Sequence, residues 1–177
     1  MKLAYVSLQG RGRTDALIMA VAARLTAQGA RLAGTVQSNL ERPDRRKCDM
    51  DLSILPDGPV VRISEDRGAL ARGCILDSGA LEQTVHEVQK RLDDAEILIV
   101  NKFGKREAEG RGLVPVIADA LERGLPVIVG VNGLNLAAFL AFAGSDVIGL
   151  PAETERVAAW CMAGRIPTQQ DEALCIE

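Results

Sequence analysis

The chain predicts an α/β fold, a three-layer sandwich in which a mostly parallel sheet is covered by helices on both faces. Three observations lead there. Strand-length apolar runs alternate with amphipathic helical segments, and parallel strands need such a crossover between each pair. Hydrophobic residues make up 47% of the 177 residues but aromatic ones only 3%, so the interior is built from Ala, Val, Leu and Ile, the composition of strands buried on both faces. Two runs, Ile-Leu-Ile-Val within Glu96–Val100 and the apolar Pro126–Val131, are strand-length and lack the alternation of a half-exposed strand. A chain of this length buries a real core without staples. We expect one domain over residues 1–164 and a C-terminal tail over 165–177.

The elements follow in order. Leu3–Val6 reads as a first buried strand. Asp15–Gln28 reads as a helix with Leu17, Ile18, Val21 and Leu25 on one face, stopped by Gly29. Leu32–Gln37 is a second strand. From Ser38 to Gly58 the pattern turns polar, through Glu41-Arg-Pro-Asp-Arg-Arg-Lys47, Cys48-Asp-Met-Asp-Leu52 and Pro56-Asp-Gly58, which predicts a loop with a hairpin-like excursion. Val60–Ile63 resumes strand character, ended by Ser64-Glu-Asp-Arg-Gly68. Ser78 caps a helix over Ser78–Leu92 that puts Leu81, Val85 and Val88 on one face. Glu96–Val100 is a central strand, and Asn101–Gly112 is the most polar, glycine-rich loop. Helix Val114–Arg123, strand Pro126–Val131, helix Leu134–Ala143, strand Val147–Leu150 and helix Thr154–Met162 complete the order. Right-handed crossovers place ligands beyond the carboxyl ends of the strands, so Ser7–Thr14, Asn101–Gly112 and Val131–Asn135 are expected along one rim.

Charge and cysteine usage narrow the function. A net charge of -3 disfavours a nucleic-acid partner, which needs a concentrated positive face. The apolar runs are far too short to span a bilayer, so no membrane partnership is expected. Four cysteines without C-x-x-C spacing, Cys48, Cys74, Cys161 and Cys175, and a start unlike a signal peptide predict a reduced, cytoplasmic protein. With one histidine, His86, no dedicated metal site is expected, although Cys48 with Asp49 and Asp51, and Cys74, carry ligand-type side chains.

The first strand runs into Ser7-Leu-Gln-Gly-Arg-Gly-Arg-Thr14 and then a helix. This is the layout of a phosphate-binding loop, G-x-x-x-x-G-K-[ST], with Ser7 for the first glycine and Arg13 for the lysine. The fold class is therefore P-loop NTPase-like. Backbone N–H groups of such a turn and the helix start behind it suit an anion. Gly10 and Gly12 let the backbone come close to a ligand. Thr14 offers a hydroxyl to a phosphate or metal, and Arg13 a fork of donors. The anion-binding candidates are Gly10, Arg11, Gly12, Arg13 and Thr14, joined by Asn101, Lys102 and Lys105 after the central strand and by Arg67 at the rim. A lid carrying Arg42, Arg45 or Arg46 is the functional version of what is otherwise a solvated basic loop.

Where a nucleotide hydrolase ends its second motif strand in an acid that holds magnesium, this strand ends in Asn101-Lys102. The amide brings no negative charge and Lys102 brings the wrong sign, so magnesium affinity should suffer. Lys102, Lys105 and Arg106 raise affinity for a polyanion instead. Glu107 and Glu109 are the nearest acids to position water and are the catalytic candidates. Solvated loop carboxylates are the plainer reading of both.

Ala33-Gly-Thr-Val-Gln37, Cys48-Asp-Met-Asp-Leu52, Arg62-Ile-Ser-Glu-Asp-Arg-Gly68, Gly73-Cys-Ile-Leu-Asp77 and above all Asn101-Lys-Phe-Gly-Lys-Arg-Glu-Ala-Glu-Gly-Arg-Gly112 resemble an uncharacterised bacterial family, domain of unknown function 2478 (DUF2478). The resemblance runs from the first strand to Trp160-Cys161. It implies kinship with small P-loop nucleoside triphosphatases and an association with molybdenum uptake or nitrogenase-related genes. Gly104-Lys105 and Glu107 match the segment after the second motif strand in those enzymes, whereas Arg13 and Asn101-Lys102 depart from them. The implied function is binding of ATP or GTP, with magnesium, and weak or absent triphosphatase activity. Two alternatives stay open. One is a sensor or carrier for molybdate, a tetrahedral dianion that suits the same turn. The other is a non-catalytic interaction scaffold, for example a homodimer, favoured by an exposed apolar patch on the sheet edge or on helix Leu134–Ala143.

Overall fold

The computed structural model describes residues 2–41, 48–65 and 75–165. In chain order the elements are β1 (Leu3–Val6), α1 (Arg13–Ala27), β2 (Leu32–Glu41), β3 (Cys48–Leu55), β4 (Val60–Arg62), β5 (Ser64–Glu65), β6 (Ile75–Leu76), α2 (Ser78–Arg91), β7 (Ile97–Phe103), α3 (Lys105–Ala108), α4 (Val114–Glu122), β8 (Val127–Val131), α5 (Leu136–Ala143), β9 (Ile148–Gly149) and α6 (Thr154–Gly164). Arg67, the lid candidates Arg42, Arg45 and Arg46, Cys74, and the tail beyond Arg165 lie outside the described residues.

Among the described residues, seven strands form one sheet in the order β4-β3-β2-β7-β8-β1-β9, and β5 pairs with β6 separately. The central pairs β2–β7, β7–β8, β8–β1 and β1–β9 are parallel, while β2–β3 and β3–β4 are antiparallel. The expected mostly parallel α/β sheet is therefore present, with an antiparallel flank. Period-two alternation divides the core. Leu98, Val100, Val127, Val129 and Val131 pack toward Val88 of α2, Val116, Ile117 and Ala120 of α4, and Phe139 of α5. Ile97, Ile99, Ile128, Ala4 and Val6 pack toward Ile18, Val21 and Leu25 of α1 and Val157 and Cys161 of α6. Residues that alternate along one strand thus serve opposite layers, which is why these strands read as unbroken apolar runs.

Two expected loops are regular structure. The polar stretch after Gln37 continues β2 to Glu41 and returns as β3, in antiparallel register from Gly34 opposite Leu55 to Glu41 opposite Cys48. Ladder hydrogen bonds hold these residues as strand whatever the hydropathy of their side chains, and the flank charges pair among themselves. Arg62 on β4 grips Asp51 with Nε (2.9 Å) and Nη2 (3.2 Å) and reaches Asp49 with Nη1 (3.1 Å). Asp51 and Asp49 hold the guanidinium proton more tightly than in a free arginine. The second correction is Asn101–Gly112. β7 continues through Phe103, which is fully buried and meets Phe139 edge to face at 5.1 Å. Residues Lys105–Ala108 then form α3. One aromatic anchor thus extends a strand into a segment whose composition is that of a loop.

Gly34 is the closest approach within the sheet. Its φ is 120°, and an added Cβ would overlap the Ile99 carbonyl of β7. The apolar α5 buries Phe139 but leaves Leu140 and Phe142 exposed, and Ile148 of edge strand β9 is exposed as well. No helix among the described residues is long and apolar enough to cross a membrane.

Candidate functional site

A cleft of about 580 Å³ opens at the carboxyl ends of the parallel strands. Four segments line it: Leu8–Gly12 with Thr14 and Asp15 after β1, Asn39 and Met50 from the β2–β3 hairpin, Lys102 at the end of β7, and Asn132–Leu134 after β8. Parallel strand order brings these together, since β1, β7 and β8 all run toward this rim and each must leave the sheet there.

The turn after β1 enters α1 through two glycines in the left-handed region, Gly10 at φ 102° and Gly12 at φ 73°. Gly12 is the N-cap, and its carbonyl accepts the first backbone bond of α1, from Ala16 N–H (2.9 Å). The N–H groups of Arg13, Thr14 and Asp15 precede that donor and have no partner within the helix. They add the positive end of a fifteen-residue helix to the cleft. Thr14 ties the turn closed, its Oγ1 accepting from Leu8 N–H (3.0 Å) and donating to the Leu8 carbonyl (3.5 Å). Arg13 folds back along the turn, its Nη1 donating to the Gln9 carbonyl (3.4 Å). On the far wall Asn132 Oδ1 accepts from Asn135 N–H (3.0 Å), and Asn135 Nδ2 donates to the Phe103 carbonyl (3.3 Å).

Beneath the floor lies a polar network built from three elements. Asp15, buried in the first turn of α1, accepts from Asn39 Nδ2 at Oδ2 (2.8 Å). Asn39 Oδ1 in turn accepts from Gln37 Nε2 (2.8 Å). The fully buried Asn101 is satisfied in one amide orientation only. Its Nδ2 then donates to Asp15 Oδ1 (3.1 Å) and its Oδ1 accepts from Gln37 N–H (3.0 Å). Thr35 Oγ1 donates to the Asn101 carbonyl (3.3 Å), and Lys102 Nζ lies 4.0 Å from Asp15 Oδ2. Gly130 makes room for this cluster, because a Cβ there would stand 3.0 Å from the Asn101 side-chain amide and 3.0 Å from Ile18. A buried carboxylate is tolerable only with such partners.

Of the candidate anion-binding residues, the fold brings Gly10, Arg11, Gly12, Thr14 and Lys102 to the cleft wall, with Asn101 directly behind it. Arg13 is exposed and is not among the lining residues. Lys105, Glu107 and Glu109 are not among the lining residues. Lys105 is exposed and pairs with Glu109 (3.9 Å). Arg106 donates to Ser78 Oγ. Glu107 is not a solvated loop carboxylate. It is buried, its Oε2 accepting from Gly104 N–H (3.0 Å) and its Oε1 from Leu113 N–H (3.2 Å). Asp15, Gln37, Asn39 and Met50 were missed from sequence. Two signals were available for the polar ones: an acid directly after the Thr14 hydroxyl, and the i, i+2 spacing of Gln37 and Asn39, which continues the strand's inward face. Among the described residues no group of three or more His, Cys, Asp or Glu side chains is placed to hold a metal.

With this geometry in view, three likenesses bear on the chain. A solved structure titled as the solution structure of a human cancer-related nucleoside triphosphatase superposes with a TM-score of 0.55, covering 99% of this chain and 96% of that one at 16% identity. That is a likeness of fold. The molybdenum import ATP-binding protein ModC 2 of Bradyrhizobium diazoefficiens is 29% identical over 160 residues, which are 90% of this chain. The chain spans only 18% of that protein's length. The model of the family described as protein of unknown function (DUF2478) matches residues 3–160, the span over which the sequence motifs are distributed, and the chain belongs to the DUF2478 family.

Proposed function

We propose that the protein binds the phosphate chain of a nucleotide, ATP or GTP, in the cleft between the Gly10–Thr14 turn and Asn132–Leu134, with weak or absent triphosphatase activity. One observation carries the reading: the N-terminus of α1, entered through left-handed Gly10 and Gly12, opens into a strand-end cleft, in a fold shared with a nucleoside triphosphatase. Arg11 and Lys102 supply positive charge, and Leu8, Met50 and Leu134 supply apolar surface for the rest of the ligand. Slow turnover follows from the end of β7. Asn101 stands where a metal-holding acid is expected and is spent on Asp15 and Gln37. Glu107 shapes the α3 turn instead of addressing water, and Glu109 lies in solvent.

Calorimetric titration with ATP and GTP tests this. Saturable binding of at least one, weakened in Gly12→Val, is the expected result, with phosphate release near background in a malachite-green assay. Absence of saturable binding of both removes the reading.

A second reading is favoured by the ModC 2 relative, whose name places a sequence like this one in a molybdenum import protein. In it the same turn binds molybdate as a free oxyanion. A rise in melting temperature with millimolar molybdate, reversed by sulfate competition, supports it. An unchanged melting temperature eliminates it.

A further inference from the structure

The fold of the structural neighbour leads one to expect a divalent cation beside the phosphates. In P-loop sites it is held by the turn's Ser or Thr hydroxyl and by an acid at the end of the adjacent strand. The donors of this cleft do not fit such an ion. Thr14 Oγ1 is engaged with both the N–H and the carbonyl of Leu8. The Asp15 carboxylate, the cleft's one acid among the described lining residues, accepts from Asn39 at one oxygen and from Asn101 at the other. Asn101 presents to Asp15 a donor where a metal needs an acceptor. Magnesium demands near-octahedral oxygen donors and gives up its water reluctantly. Here it would also meet the like charge of Lys102, whose Nζ lies 4.0 Å from Asp15.

We propose that Lys102 takes the place of the metal, so that this cleft recognises the uncomplexed polyphosphate anion and not its magnesium chelate. The proposal rests on the nucleotide reading of the cleft and specifies its ligand form. Lys102 follows the buried Asn101 at the end of β7 and lines the cleft with its side chain still 30% exposed. Its ion pair with Asp15 is long, which leaves the ammonium able to turn to a phosphate oxygen across the floor. Asp15 cannot follow, because Asn39, Gln37 and Asn101 hold it from two sides. The carboxylate therefore acts as a positioning residue, keeping the ammonium at the cleft floor. The ligand class is a nucleoside di- or triphosphate free of metal, and inorganic pyrophosphate shares its chemistry. Because magnesium and the protein then compete for the same phosphate oxygens, the cation must weaken binding by the factor with which it sequesters the free anion.

The experiment is titration of the full chain with ATP, GTP and pyrophosphate, first in EDTA and then with excess magnesium, on wild type, Lys102→Met and Lys102→Arg. The expected result is binding in EDTA that excess magnesium weakens in proportion to the fraction of the anion it sequesters. Lys102→Met should lose about tenfold or more, the scale of one charge-assisted hydrogen bond, and Lys102→Arg should recover most of it. Circular dichroism and melting curves of both variants separate loss of the ammonium from loss of the fold. Binding that excess magnesium leaves unchanged or strengthens overturns the proposal while leaving the nucleotide reading intact, as does a folded Lys102→Met with unchanged affinity. No binding of either nucleotide in any condition defeats the nucleotide reading, and this inference falls with it.

Discussion

Glu107 shows how a residue's role is set by what its oxygens meet. It is a catalytic candidate by sequence position, yet its carboxylate satisfies the Gly104 and Leu113 N–H groups and approaches Gly112, whose φ of 59° brings the backbone over it. Removing it leaves a buried donor, Leu113 N–H, and a part-buried one, Gly104 N–H, without this acceptor. Glu107→Ala is therefore expected to lose about 2–4 kcal/mol in urea denaturation, with ATP affinity within about twofold of wild type because the side chain is no part of the cleft wall. An unfolding midpoint that stays put while nucleotide turnover disappears would instead return Glu107 to a chemical role. Lys102 and Thr14 were legible in sequence, since each occupies a defined offset from an apolar strand. Asp15 was not, because only its partners on β2 and β7 distinguish it from any acid in a helix's first turn, where the macrodipole alone justifies it.

At the scale of elements, the site depends on how tightly β2 lies against β7. Thr35 opposite Val100, with Gly34 opposite Ile99, sets the register that brings the Gln37 N–H within reach of the Asn101 side chain. Gly34 permits that approach, so Gly34→Ala both forces a non-glycine residue to φ 120° and drives a methyl into the Ile99 carbonyl. We expect a loss of about 3 kcal/mol or more, read as a drop in melting temperature or as failure to accumulate folded protein. A variant as stable as wild type would mean that the two strands separate readily and that the network under the cleft is not held by this pairing. The β2–β3 hairpin was only half legible. Asn39, Asp49 and Asp51 look like loop residues by composition, and the ladder between Gly34 and Glu41 on one side and Cys48 and Leu55 on the other makes them strand. Propensity is overridden there by pairing, as strand preferences commonly are.

For the whole molecule, the layer between the sheet and helices α1 and α6 contains Cys161, fully buried and pushed up to about 12 by loss of solvent around the thiol. The sign of the pH effect follows. Below the ordinary thiol value of 9.0 the folded and unfolded chains both carry the proton, and stability is unaffected. Between there and about 12 the unfolded chain ionises while the folded one does not, so this group makes stability fall as pH rises. Native protein should accordingly leave Cys161 unlabelled by a thiol reagent in Cys48→Ser, Cys74→Ser, Cys175→Ser background, with labelling appearing at the urea midpoint. Prompt labelling without denaturant would show that α6 opens independently of the core. On the opposite layer α5 is apolar along its length yet buries only Phe139 and leaves Leu140 and Phe142 exposed.

By itself the sequence determined the class of fold, the alternation of its parallel strands with the longer helices and the turn at the first crossover. Each of these is written in local periodicity, in the lengths of apolar runs and in glycines at a strand-to-helix junction. Only the tertiary structure decided that Asp15, Gln37, Asn39 and Asn101 share their hydrogen bonds, that Lys102 faces Asp15 across the cleft floor, and that Lys105 and Glu109 stand outside it. The reason is physical. A hydrogen bond between residues distant in the chain depends on which strands are neighbours and in what register, and those are set by close packing of two apolar layers against one sheet, which no local pattern of residues records.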